Sequence, residues 1–135
     1  GEYAKLKHNI FKVVQFTYYI MLATSLIAYL LFPLFIQIFI DNPIFNNSYL
    51  PFSILLLGLL ISSGYLPLDM FLIQAGFPGY QTFIKVIILL SNIILNSIFI
   101  PSLGIVGAAI ATSLSFVFSV FLLKTIVKKK IGITI

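Results

Sequence analysis

Two charges stand inside otherwise apolar stretches, Asp69 and Lys85, and they are the first candidates for chemistry. Asp69 lies eight residues before Phe77 and Lys85 eight residues after it, with the turn Gly76-Phe77-Pro78-Gly79 between them. If helices flank that turn, a rise of about 1.5 Å per residue puts both charges roughly 10 Å below it, at one depth on neighbouring helices. Opposite charges so placed either pair with each other or face a polar cavity that takes a substrate or an ion. An unpaired charge at mid-membrane costs about 2.5–3.5 kcal/mol, and less near the interface, to which a lysine can reach.

A second set is amidic. Asn92 and Asn96 are four apart and share one helix face, with Ser91 and Ser97 beside them. Such amides either wall a cavity that binds sugar or pyrophosphate oxygens, or bond neighbouring helices together, at about 0.6–2 kcal/mol each.

Little other chemistry is available. The chain has no cysteine, a single His8 beside Lys7 and near Lys5 and Lys12, and only Glu2, Asp41 and Asp69 as acids. A zinc site wants three or four convergent ligands, and a nucleophilic triad wants a histidine brought to a serine. Glycine-rich phosphate loops are absent. The expectation is a protein that is no enzyme, with no metal and no cofactor.

The elements that must position these residues follow from composition. Of 135 residues, 61% are apolar and 8% charged, with a mean hydropathy of +1.17. Soluble domains carry about 25% charge, so the solvent for most of this chain is expected to be lipid. Four apolar runs are visible, at 13–40, 51–75, 80–100 and 105–127. Each reaches the roughly 20 residues of a helical crossing, and lipid forces helices because it offers backbone groups no partners. The breaks are a basic segment at 1–12, a polar loop at 41–50, a glycine-proline turn at 76–79, a short turn at 101–104 and a basic tail at 128–135. Short turns make neighbouring helices antiparallel.

The net charge of +5 comes from lysine alone. Lys5, Lys7, Lys12, Lys85, Lys124, Lys128, Lys129 and Lys130 all fall on one side if the helices alternate, while loops 41–50 and 101–104 hold none. That is the positive-inside pattern: both ends and the 76–79 turn are expected in the cytoplasm. Membrane lipid, not nucleic acid, is the partner such lysines suit. Tyr18, Tyr19, Tyr49, Tyr65 and Tyr80 suit interface anchoring. Pro33 and Pro67 each remove one backbone bond and are expected to kink their helices.

The last run reads as a packing surface. Gly107, Ala111, Ser115 and Ser119 recur every four residues, and Gly104, Ala108 and Thr112 form a second small-residue row. Small side chains at this spacing let two helix backbones approach closely. Asn46-Asn47-Ser48 matches a glycosylation sequon, a pattern frequent by chance. The first residue is Gly and no signal peptide precedes the first run, so the chain reads as a piece of a longer protein.

The stretch from Asn92 through Asn96, Pro101-Ser102-Leu103-Gly104, Gly107-Ala108-Ala109 and Ala111-Thr112 resembles a recurrent segment of polysaccharide flippases. These are the O-antigen (Wzx-type) and related transporters of the multidrug/oligosaccharidyl-lipid/polysaccharide (MOP) superfamily. The Gly76-Phe77-Pro78 turn also fits that family; the resemblance is strong from Asn92 to Ser115 and moderate in the first two runs. It implies an all-α integral membrane protein of twelve to fourteen helices in two six-helix lobes. These four antiparallel transmembrane helices would belong to the C-terminal lobe, and the missing N-terminal lobe would be their partner. The implied activity is transfer of undecaprenyl-pyrophosphate-linked oligosaccharide across the bacterial cytoplasmic membrane by alternating access around a hydrophilic cavity. Asp69, Lys85, Asn92 and Asn96 are the substrate or cavity candidates in this chain, and only Lys85 offers a cation for a pyrophosphate from within it. Two other readings stand beside this one: a drug or metabolite cation antiporter of the same superfamily, with Asp69 as its one acid here, and a small four-helix membrane scaffold.

Overall fold

The computed structural model describes residues 2–40 and 43–132; Asp41 and Asn42 of the expected 41–50 loop, and the tail beyond Gly132, lie outside the described residues. All regular structure among them is helical: α1 (Glu2–Phe39), a 3-10 turn (Pro43–Ser48), α2 (Tyr49–Ser63), α3 (Leu66–Gln74) and α4 (Pro78–Ile131).

α1 begins well before the apolar run. Its first turns hold Lys, Leu and Phe with no glycine or proline after Gly1, so nothing stops helix growth back into the basic segment. The helix also continues through Pro33, where a kink was expected. Proline acts differently in the second run. There the expected single helix 51–75 is two, α2 and α3, bent by 41° at a short break before Pro67.

α3 ends in a glycine motif. Gly76 has φ 84°, its N–H donates to Ile73 O, and the Phe77 N–H donates to Leu72 O, each at 3.0 Å. Only glycine takes that backbone without penalty, and the two bonds satisfy carbonyls the helix end would orphan. Pro78 then opens α4.

α4 spans 54 residues, which drawn straight would be about 80 Å long, far beyond a bilayer core of about 30 Å. It is not straight. Gly104 has φ 58° and ψ −132°, and there the chain doubles back. Asn92 therefore reaches Thr112 and Ser115, and Ile84 joins Leu123 and Val127 in one apolar cluster. The expected four-residue turn at 101–104 is narrower than expected, because Pro101, Ser102 and Leu103 keep helical geometry and Gly104 alone departs from it.

The apolar cluster gathers Val14 of α1, Leu68 and Leu72 of α3, and Ile84, Leu123 and Val127 of the two α4 arms. Ile10, Phe77 and Ile131 pack around it, so the start of α1, the 76–77 turn and the end of α4 meet at one end of the bundle. At the other end Phe32 stacks on Phe52 at 4.0 Å, with Tyr29 and Tyr49 alongside. Elsewhere the outside is apolar: Phe16, Ile38 and Phe121 are each about two-thirds or more exposed (66%, 71% and 67%). Water tolerates no such surface, whereas hydrocarbon does. α1 over Lys5–Phe39 and α4 are long and apolar enough to cross a membrane, and the bent α2–α3 pair is a third candidate span. The chain is that of a membrane-embedded protein.

Candidate functional site

The site begins with the break between α2 and α3. Pro67 has no N–H for the Ser63 carbonyl, and its ring crowds that turn, so the helix opens just ahead of it. The Tyr65 N–H, which in a continuous helix would bond Ile61, goes to Ser62 O at 3.1 Å. The carbonyl of Ile61 is thereby released, and the Tyr18 hydroxyl of α1 donates to it at 2.7 Å. The Tyr18 ring also meets Tyr65 edge-on at 5.9 Å. It lies where a Cβ on residue 64 would stand, so only glycine fits at Gly64. Tyr18 was expected only as an interface anchor; its contact 43 residues along the chain has no local sequence signal.

The break sets α3 at a new angle and places Asp69 in its first turn. Helix N-termini favour a carboxylate there. Lys85 Nζ lies 2.6 Å from Asp69 Oδ2, and Gln81, one turn earlier on the same face, makes a long 3.5 Å contact with the same oxygen. Asp69 is largely covered, with 13% of its side chain exposed, whereas Lys85 keeps 53%. Gln81 was not anticipated, although its four-residue spacing to Lys85 was the available signal. The pair borders a cavity of about 270 Å³ lined also by Ser62, Tyr65, Ile84 and Ser119. On Tyr65, Lys124 Nζ sits 4.7 Å over the ring, a cation held on an aromatic face.

The amides form a separate network. Asn96 donates to Asn92 Oδ1 at 2.8 Å, and Asn92 donates to Ser115 at 3.3 Å and to Thr112 at 3.4 Å. The two bonds from Asn92 join the two α4 arms. The Asn96 side-chain oxygen is buried and, among the described residues, accepts no hydrogen bond. Next to Thr112, Ser113 donates to Ile54 O at 2.8 Å and fixes α2 onto the same arm, where Gly58 leaves no room for a Cβ. Asn92 and Asn96 thus stand apart from Asp69 and Lys85, and their contacts are of the kind that hold helices together.

The small-residue rows divide. Gly107, Ala111 and Ser115 are buried, and a Cβ at Gly107 would collide with the Phe99 carbonyl of the facing arm. Ala108, Thr112 and Ser119 are half-buried, the hydroxyl of Ser119 bonding its own helix at Phe116 O. Gly104 was placed in a packing row, but it is exposed with open space around it; its role is the positive φ of the reversal.

The arrangement holds an ion pair on a broken helix beside a small, part-polar cavity. Among the described residues no three His, Cys, Asp or Glu side chains come together as a metal site would need. No protein-family model, no curated protein and no solved structure matches this chain.

Proposed function

We propose that this chain is part of a membrane carrier, four antiparallel transmembrane helices from the C-terminal lobe of a larger MOP-type transporter. Its substrate is undecaprenyl-pyrophosphate-linked oligosaccharide, moved from the inner to the outer leaflet of the bacterial cytoplasmic membrane for surface polysaccharide synthesis. Both ends of the piece lie in the cytoplasm, on the side of the lysines.

One observation carries the reading: a span interrupted at Ser63–Leu66 that presents Asp69 and Lys85 to a cavity. Discontinuous helices near a polar site are how carriers put fixed charge beside a substrate while two lobes rock around it. Moving sugar and pyrophosphate through hydrocarbon unaided is prohibitive, because each unpaired polar group costs several kcal/mol. The resemblance from Asn92 to Ser115 supports the same assignment. The cation-antiporter reading is weaker, because Asp69 is largely covered and already held by Lys85, whereas half of the Lys85 side chain stays open to a second anion. A pure scaffold has no need of an ion pair on a broken span.

Deletion of the gene in its host tests the proposal. The expected result is loss of surface glycan with lipid-linked precursor accumulating in the cytoplasmic leaflet. Intact glycan with raised sensitivity to cationic drugs would favour the antiporter instead.

A further inference from the structure

We propose that the groove between the start of α1 and α3 seats an anionic glycerophospholipid of the surrounding bilayer, distinct from any molecule the protein carries. The groove has a volume of about 450 Å³. Leu6 and Ile10 of α1 and Met70 and Phe71 of α3 make its apolar walls, and Asn9 and Gln74 add amides. From Leu6 to Val13 the wall runs about 10 Å, enough to hold a stretch of acyl chain.

The location says which lipid. Ile10 packs on the same apolar cluster as Phe77 and Ile131, so the groove lies at the end of the bundle where α1 passes from its apolar run into the basic segment. An occupant there has hydrocarbon on one side and headgroups on the other. On α1, residues 6, 9, 10 and 13 share the groove face, and Lys5 and Lys12, seven apart, run along one flank with Lys7 on the other. All three lysines are exposed. Among the described residues no acidic side chain lines the groove, and Asp69 on the same helix is held by Lys85. Apolar walls, with exposed lysines on either flank of the α1 face that forms them, match a phosphate on an acyl chain. Each lysine near such a headgroup adds about 1 kcal/mol, or roughly a fivefold preference for an anionic lipid.

Native mass spectrometry of the intact protein in mild detergent tests this, with phosphatidylglycerol titrated against phosphatidylcholine of identical chains. Phosphatidylglycerol is expected to be retained in preference. The K5Q/K7Q/K12Q variant should lower its retention at least tenfold, to the phosphatidylcholine level, with an unchanged melting temperature. Met70→Trp, which fills the groove and leaves the lysines in place, should also lower it. An undiminished preference in the lysine variant, or full retention in Met70→Trp, would overturn the proposal. So would a cross-link from a cysteine at Met70 to another segment of protein, which would assign the groove to that segment. The readout is lipid mass and not transport, so it stands or falls separately from the carried substrate.

Discussion

Lys85 Nζ and Asp69 Oδ2 are 2.6 Å apart, on two helices that meet at the Gly76 turn, yet the two side chains are unequally covered, 53% and 13% exposed. The inequality sets the order of harm. Asp69→Asn frees a lysine that can extend toward the interface, so little stability should be lost. Lys85→Met strands a mostly covered carboxylate and should destabilise more. A double-mutant cycle should give a coupling of at least about 1 kcal/mol, the upper end for a pair in water. Thermal unfolding of the four proteins in one detergent measures it; equal losses for the two single variants would contradict the asymmetry.

Tyr18 holds the helix break through one hydroxyl. Tyr18→Phe keeps the ring against Tyr65 and Gly64 but leaves the Ile61 carbonyl without its donor. The expected cost is about 1 kcal/mol, read as a lower melting temperature. Tyr19→Phe is the control, since Tyr19 is 74% exposed and should show no change.

Two glycines of α4 should fail for opposite reasons. Gly107→Ala puts a methyl against the Phe99 carbonyl, which should push the arms apart at a cost of about 1–3 kcal/mol. Gly104→Ala meets no atom, but forces a side chain onto φ 58°, at about 1–3 kcal/mol of backbone strain. Ala111→Leu, at a site with no exposure, should damage folding as Gly107→Ala does. Yield and melting temperature of the three variants decide, and a neutral Ala111→Leu would remove the close-packing account.

This chain adds no labelling background of its own to a test of orientation, because it has no cysteine. Asn47→Cys should react with a membrane-impermeant maleimide from outside intact cells. Gly79→Cys should react only once the cells are opened. The reverse pattern would invert the topology.

Some of this was legible in the residues and some was not. The helical class follows from long apolar runs, and the depth match of Asp69 and Lys85 follows from equal spacing about Phe77. Proline shows where local sequence stops being informative. Pro33 and Pro67 read alike, yet the helix continues through one and breaks before the other. At Pro67 the break has partners: Gly64 leaves room for the Tyr18 ring, and the Tyr18 hydroxyl takes the released carbonyl. Those contacts are set by packing between helices, which no local pattern encodes. Gly104 belongs by sequence both to the 101–104 turn and to the small-residue row, and the structure gives it to the turn. Its spacing fits the small-residue row, and only its backbone angles separate a turn from a contact.

The reversal at Gly104 also bears on how the chain enters a bilayer. With a single residue leaving helical geometry, the connector has no soluble loop to be threaded through hydrocarbon. Only one bare peptide corner, next to Pro101 and Ser102, must reach the far headgroups. Arms that Asn92, Thr112 and Ser115 tie together are suited to entering as one closed wedge and not as two successive stitches.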